Sequence, residues 1–416
     1  MKSVLGIIAE YNPFHNGHLY QIEKAKEECN ADYVVVVMSG NFVQRGLPAV
    51  MNKWDRAKIA IENGVDLVVE LPTIFSISNA ENFANGGIKI LNELGIVNHV
   101  AFGMECDNLN SINEISELML NEPQELSIII KEELQKGVSY PLARQNAIFI
   151  YTRNNAFKEI LNKPNNILAI EYLKALKRIS SPIIPIGIKR YMVDSNSESF
   201  NDSYASSSLI RKLIFENKWD KILQVVPKKS FSNLKKSYED GRCAYDLKTF
   251  EREIIYKLRT MSIEEIKNLP DVSEGLENLI YKAVGETNNI DELINLIKNK
   301  RITQTKIQRI MLYALLGITK KDMDDSMNID PYIRILGFSK KGENLLKDIE
   351  TNVITSIKRF EETNSKKELQ RMLEIDKLSS NIYSIFYKNG SKTNLDYTQG
   401  LIKWWFQNCY SNYTFL

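Results

Sequence analysis

Two of the chain's three histidines, His15 and His18, stand three residues apart in the string Glu10-Tyr11-Asn12-Pro13-Phe14-His15-Asn16-Gly17-His18. On a helix, that spacing puts both imidazoles on one side of the first turn. The string follows a continuous apolar run, Val4–Ala9, of the kind expected in a strand buried on both faces. It leads into the helix-compatible stretch His18–Cys29. A strand that ends in a helix N-terminus offers free backbone N–H groups and the positive end of a dipole, and both favour an anion. Gly17 removes a side chain where a ligand approaches the backbone. These parts suit attack on the α-phosphate of a nucleotide, which needs positioning and electrostatic stabilisation rather than a protein nucleophile. One preorganised donor is typically worth about 10²–10³ in rate. A histidine pair also suits zinc, but His99 and the scattered Cys29, Cys106, Cys243 and Cys409 offer no obvious further ligands. A buried, satisfied His15 is the bland alternative, and His99, without companions, reads as structural.

A second string, Ser206-Ser207-Ser208-Leu209-Ile210-Arg211, reads as another helix start. Its serines can cap the helix, and Arg211 can fork onto phosphate oxygens. The competing reading is an ordinary capped helix with an exposed arginine.

The elements that must hold these strings alternate. Strand-like runs at Val4–Ala9, Tyr33–Met38, Asp66–Leu71, His99–Phe102 and Ile183–Ile188 are separated by helix-like stretches. Those stretches are His18–Cys29, Lys53–Asn63, Asn79–Leu94, about 165–177 and about 207–217. The order implies a Rossmann-like parallel sheet with helices on both faces. After a boundary near Tyr238–Arg242 the chain turns to Lys, Glu, Ile and Leu at helical periods, as in Thr249–Leu258, Ile263–Asn268, Leu276–Ala283 and Asp291–Leu296. This predicts an α/β nucleotide-binding domain over 1–240 and a mainly helical domain over 241–416. The end, Ile382–Tyr387 and Leu401–Phe406, reads as short strands or a docked tail.

At 416 residues with 44% apolar and 25% charged side chains, the chain can build two or three packed domains, which excludes disorder as the main state. Four cysteines without CxxC spacing fit a reducing cytoplasm. The apolar runs are too short to span a bilayer, and Val4–Ala9 is too short for a signal peptide. A net charge of +2 excludes bulk coating of nucleic acid. The charge is uneven, however. The stretch 298–321 contains Lys298, Lys300, Arg301, Lys306, Arg309, Lys320 and Lys321 and no acid, so it carries +7 and leaves −5 on the rest. With Tyr313 and apolar residues interleaved, it reads as a local RNA-phosphate footprint, against the alternative of a solvated helix face. Trp404-Trp405-Phe406 could stack on bases, though such clusters are more often core.

His15-Asn16-Gly17-His18 resembles the HxGH signature of the nucleotidyltransferase superfamily that includes class I aminoacyl-tRNA synthetases, and Ser206–Arg211 is similar to its Ser-Ser/Thr-x-Ile-Arg motif. The wording at Gly6–Tyr20, Val37–Val50, Lys163–Leu168 and Pro331–Gly342 resembles the bacterial tRNA(Met) cytidine acetate ligase family, over essentially the whole chain. That resemblance implies an ATP-dependent ligase that forms acetyl-adenylate and pyrophosphate. The acetyl group then passes to the exocyclic amine of the wobble cytidine of elongator tRNA(Met). It implies His15 and His18 as catalytic residues. It places ATP along Ile7, Ile8, Ala9, Glu10, Tyr11, Asn12, Pro13, Phe14, His15, Asn16, Gly17, His18, Leu19 and Tyr20, with further contacts from Gly103, Asn165 and Arg190. Ser207, Ser208 and Arg211 are expected on the phosphates, and Lys298, Lys300, Arg301, Lys306 and Arg309 on tRNA. Mg²⁺ is expected with ATP, with no residue named as its ligand. On spacing alone, Gly103 could be a turn glycine, Asn165 a helix cap and Arg190 a surface charge. The runner-up functions are a small-molecule adenylyltransferase of coenzyme or dinucleotide synthesis and a non-enzymatic RNA- or nucleotide-binding regulator. The length beyond residue 240 and the intact histidine pair stand against them.

Overall fold

The structure, a computed structural model, describes residues 2–106, 108–190, 203–273, 275–351, 353–354, 356–390 and 393–404. The apolar runs form the strands β1 (Val4–Ala9), β2 (Tyr33–Ser39), β5 (Leu67–Leu71), β6 (His99–Met104) and β7 (Ile184–Lys189). A short hairpin, β3 (Phe42–Val43) and β4 (Leu47–Pro48), follows β2. Among these, β5-β2-β1-β6-β7 lie side by side and parallel, with β1 in register from Val4 opposite Tyr33 to Ala9 opposite Met38. Val34 to Met38 have no solvent exposure, as a strand covered on both faces requires.

The helices that cover the sheet and matter for the site are α1 (Asn16–Cys29), α2 (Lys53–Glu62), α3 (Ala80–Glu93), α4 (Pro164–Arg178) and α5 (Ser207–Phe215). Strand side chains alternate between two apolar layers. Leu5 and Ile7 join Ile22 of α1, Ala57 of α2 and Ile210 of α5 on one face, while Val4 and Val100 join Phe83 and Leu91 of α3 and Leu173 of α4 on the other. Strand order reverses between β1 and β6, and in open α/β sheets the crevice at such a reversal, beyond the strands' carboxyl ends, takes the ligand.

The boundary expected after residue 240 falls at the end of a helix, Lys228–Glu239, and from Glu251 to Met327 the described chain is helical. One of these helices, α6 (Gln304–Leu316), packs its buried Ile310 and Tyr313 into the layer under α3 and α4. The chain then returns to the sheet. β8 (Ile333–Ser339) lies antiparallel to β5, and β9 (Val353–Ile354) and β10 (Ile402–Trp404) pair with β8. Thus the region beyond 240 supplies three strands to the sheet built by the first half. Leu401–Phe406 does contribute a strand at Ile402–Trp404, while Trp405 and Phe406 lie outside the described residues. Ile382–Tyr387 is the end of the helix Lys367–Tyr383 with a following 3-10 turn, not a strand.

Buried ions join the two ends of the chain. Lys53 Nζ lies 2.7 Å from both Glu70 Oε1 and Asp396 Oδ1, and Arg334 of β8 pairs with the same two carboxylates at 3.1 and 2.5 Å. Removing one partner from so dry a cluster costs about 3–5 kcal/mol, because it strands a charge away from water. Among the described residues no helix is long and apolar enough to cross a membrane.

Candidate active site

The turn between β1 and α1 is tightly built. Tyr11 takes a left-handed φ of 47°, unusual for a residue with a Cβ and costing about 1–2 kcal/mol. Its ring is wedged edge-on against Phe14 and His18, with centroids 4.8 and 5.0 Å apart. His15 is the N-cap of α1, and its Nδ1 accepts the Gly17 N–H at 3.1 Å. His18 Nδ1 accepts the His15 N–H at 3.2 Å, so the two imidazoles cap the helix reciprocally. Both Nδ1 atoms accept, so in each neutral ring the proton sits on Nε2. His15 donates from Nε2 to Ser207 Oγ at 3.1 Å. The rings stack at 3.7 Å. Burial first, then the nearby Arg190 charge, pushes His15 down to about 3. Burial, then His15 and Arg190, holds His18 well below the usual range. At neutral pH the pair is a set of uncharged N–H donors.

The pair looks into a cleft of about 530 Å³ at the carboxyl ends of β1 and β6. Of the residues expected along ATP, Ile8, Ala9, Glu10, Tyr11, Asn12, His15 and His18 line it, while Gly17 and Tyr20 line a smaller adjoining cavity. Others do not reach it. Ile7, Pro13 and Phe14 are buried, and Ile7 and Phe14 belong to the apolar layer beneath. Leu19 packs on that layer, and the Asn16 amide donates to the carbonyls of Ser203 and Gln224. These five hold the turn from behind. Gly17 also differs from expectation: a Cβ there would lie 3.0 Å from the His15 ring, so the missing side chain makes room for the histidine itself.

Gly103, Asn165 and Arg190 form one group. Arg190 follows β7, and its stem lies where a Cβ on Gly103 would come within 3.1 Å, so the glycine seats the arginine. Arg190 Nη1 donates to Asn165 Oδ1 at 3.3 Å, and Asn165 Nδ2 donates to Glu105 Oε1 at 2.7 Å. Asn165 is therefore not the cap of α4; that N-cap is Lys163, and the Asn165 N–H is served by Glu105. Burial lowers the Arg190 pKa and the Glu105 charge opposes it. Glu105 was not foreseen, although it stands two residues after Gly103.

Ser206 caps α5 through the Leu209 N–H, and Ser207, Ser208 and Arg211 all line the cleft. Arg211 donates to the Asn12 carbonyl at 2.8 Å and to Ser208 Oγ at 3.3 Å. This ties the second string to the first. Arg56, also unforeseen, braces the floor. It is 1% exposed and donates to the carbonyls of Glu10, Ser39 and Gly40 at the carboxyl ends of β1 and β2, and to that of Met51 just before α2. Nothing in its sequence setting distinguishes it from a helix-surface arginine. Lys53, by contrast, lies in the buried ion cluster and not in the cleft.

The basic stretch divides. Lys298, Lys300 and Arg301 are exposed and Lys306 half-exposed, just before and at the start of α6. Lys321 pairs with Asp325 and the Lys320 amine donates to the Lys267 carbonyl. Arg309 departs from the expected RNA-facing surface. It is buried, ion-paired with Asp271 at 2.8 Å, and lines the cleft together with Thr303 and Thr305. Four arginines, Arg45, Arg190, Arg211 and Arg309, line the cleft against a single acid, Glu10. Such a site favours a polyanion. Among the described residues no group of three His, Cys, Asp or Glu side chains is placed to hold a metal ion, so the expected Mg²⁺ finds no protein cage here.

A parallel sheet with a capped histidine pair at its first strand–helix turn, facing a cationic cleft, defines a HIGH-type nucleotidyltransferase. The sequence profile described as HIGH Nucleotidyl Transferase matches residues 1–398. The tRNA(Met) cytidine acetate ligase of Thermoanaerobacter sp. (strain X514) is 42% identical over 404 residues, covering 96% of this chain and 99% of that protein. The enzyme of that name from Acetivibrio thermocellus is 42% identical over 412 residues, covering 96% and 99%. The solved structure of Thermotoga maritima TmcAL in its apo form superposes with a TM-score of 0.93 at 32% identity, covering 97% of this chain and all of that one. The form of that protein bound with alpha-thio ATP gives 0.91. The chain belongs to the tRNA(Met) cytidine acetate ligase family.

Proposed function

We propose that this protein is an ATP-dependent ligase that activates acetate as acetyl-adenylate and transfers the acetyl group to the exocyclic amine of the wobble cytidine of elongator tRNA(Met), giving N4-acetylcytidine. The observation that carries the chemistry is the His15–His18 pair, two neutral stacked imidazoles that start α1 at the edge of an arginine-lined cleft. The acid and the RNA follow from the names of the relatives, and the nucleotide from the alpha-thio ATP held by the Thermotoga protein.

In the first step a carboxylate oxygen attacks the α-phosphorus, and the bond to the bridging oxygen breaks. Pyrophosphate leaves with the electron pair. The His18 imidazole N–H and Arg211 stabilise the negative charge that grows there, with His15 tied to Ser207 Oγ beside them, and they need no proton transfer to act. Arg190, fixed by Asn165 over Gly103, holds the nucleotide from the β6–β7 side. In the second step the cytidine amine attacks the acyl carbon, AMP leaves, and the nitrogen loses a proton. The division of labour assigns ATP and acetate to residues 1–240 and tRNA to the region beyond, with Lys298, Lys300, Arg301 and Lys306 on RNA phosphates. The test is pyrophosphate release from ATP with acetate and other acids, combined with mass analysis of elongator tRNA(Met) for acetylated cytidine. Modification driven by acetyl-CoA without ATP would overturn the reading.

A further inference from the structure

One cation of the cleft has no task in the arrangement above. Arg309 is paired with Asp271, Arg211 with the Asn12 carbonyl and Ser208, and Arg190 with Asn165. Arg45, half-buried between β3 and β4, makes no hydrogen bond or ion pair with any described residue, yet its charge bears on both Arg190 and Arg211. The nearest cleft acid, Glu10, accepts the Gln44 N–H through Oε1 at 2.9 Å. The turn that carries Arg45 is held at both ends. On one side is that bond. On the other, Gly46 has φ 73° and lies so close to α6 that a Cβ would come within 2.5 Å of the Arg309 backbone nitrogen. A cation so firmly presented, among like charges, calls for an anion.

Topology says which anion. Beyond the β1–α1 turn itself, the proposed nucleotide contacts lie on the β6–β7 side of the strand reversal or on α5: Gly103, Asn165, Arg190, Ser207, Ser208 and Arg211. Arg45 enters from the other side, after β2. There the wall includes three apolar side chains, Val43 and Leu47 flanking Arg45 in the hairpin and Phe83 from α3, which packs on β1, β2 and β5, beside polar Gln44 and Asn79 and the α6 edge at Thr303, Thr305 and Arg309. A cation beside a small apolar wall suits a carboxylate with a short alkyl end. We propose that Arg45 binds the carboxylate of the acid substrate, with Val43, Leu47 and Phe83 enclosing its alkyl group, an assignment that rests on the ligase reading above. One carboxylate oxygen is held by the guanidinium while the other attacks the α-phosphorus; that P–O bond forms as the bond to pyrophosphate breaks, with no net proton change.

The experiment uses the full-length protein with Arg45→Ala and Arg45→Lys. ATP affinity is measured by calorimetry without acid, and acetate saturation by pyrophosphate release at saturating ATP. The expected result is an acetate KM raised about 10–100-fold in Arg45→Ala, partly restored in Arg45→Lys, with the Kd for ATP within about twofold of wild type. A fall in ATP affinity with acetate KM unchanged would make Arg45 a polyphosphate contact and overturn the assignment. So would wild-type values for both. The ligase reading fails separately, if the wild-type protein binds ATP but releases no pyrophosphate with acetate.

Discussion

Replacing His18 separates the catalytic reading from a structural one, because the residue does two things with two different atoms. Nδ1 accepts the His15 N–H at 3.2 Å and so helps cap α1, while Nε2–H is left for the cleft. His18→Ala removes both. The lost cap costs about 0.5–2 kcal/mol, and the ring stacked 3.7 Å from His15 and edge-on to Tyr11 at 5.0 Å leaves a gap. In a chain of 416 residues a loss on that scale lowers the melting temperature by only a few degrees. The lost donor is worth about 10²–10³ in adenylation rate. His18→Asn loses the ring and its Nε2–H but keeps the cap, because its Oδ1 sits where the imidazole holds Nδ1 and can still accept the His15 N–H. Both variants are expected to lose about a hundredfold or more in acetate-dependent pyrophosphate release, with the asparagine variant melting above the alanine one by the retained cap. If His18→Asn turns over near the wild-type rate, the imidazole N–H is not the group that stabilises the transition state. If activity returns with the cap alone, the histidine is merely a helix-start residue.

Other outcomes can be checked independently. The His15 and His18 imidazole resonances of the ligand-free protein should hold their neutral shifts as pH falls from 8 to 5, since burial keeps His15 at about 3 and His18 well below the ordinary range; titration near 6.5 would refute the buried donor pair. Asp376, wholly buried beside the Glu70 charge, is pushed up to about 6, so it favours the fold below the unfolded carboxyl range near 3.8 and loses that contribution as pH rises through 6. Asp376→Asn should therefore gain stability relative to wild type as pH rises from about 4 to 6, read as the difference in urea midpoints; a constant difference across that window would refute it. Reversing Lys300, Arg301 and Lys306 to Glu should weaken tRNA binding and flatten its salt dependence by about three in log–log slope, while acetate-dependent pyrophosphate release without tRNA stays as in wild type. Unchanged tRNA affinity in the folded variant would move the RNA footprint elsewhere.

The sheet was legible because its strands are nearly pure apolar runs between helices, a pattern only a doubly covered strand requires. Both chemical strings were legible for a related reason: each sits at a strand–helix or loop–helix junction, where histidine or serine caps are informative. The supports were not. Arg56 looks like any helical arginine until its four carbonyl partners are seen, and Glu105 and Asn165 meet across 60 residues of chain. The strand Ile333–Ser339 was hidden by its place after a long helical region, although seven buried residues in a row mark it as sheet. No pattern within one segment can say that it will pair with β5, more than 260 residues earlier.

The basic stretch shows the same limit in charge. Along the sequence Arg309 is one of seven positive residues without an intervening acid, and nothing in that run sets it apart from Lys306 three positions earlier. On α6 the two differ. Lys306 lies in the first turn and remains half-exposed, whereas Arg309, one turn further in, is packed against the β3–β4 turn, where Gly46 meets its backbone and Asp271 takes its charge. A linear run of charge measures only how many cations are available. Three 100° steps leave these two only about 60° apart around the helix axis, so depth along the helix, first turn against second, is what separates solvent from cleft. Arg301 and Lys306 therefore bracket Thr303 and Thr305, which face the same cavity as His15 and His18. The exposed part of the stretch thus ends at the wall of the proposed acetyl-adenylate site. On the proposed reading, an RNA held on those lysines would need little reach to bring a base to the acyl carbon, and one cleft would serve both half-reactions.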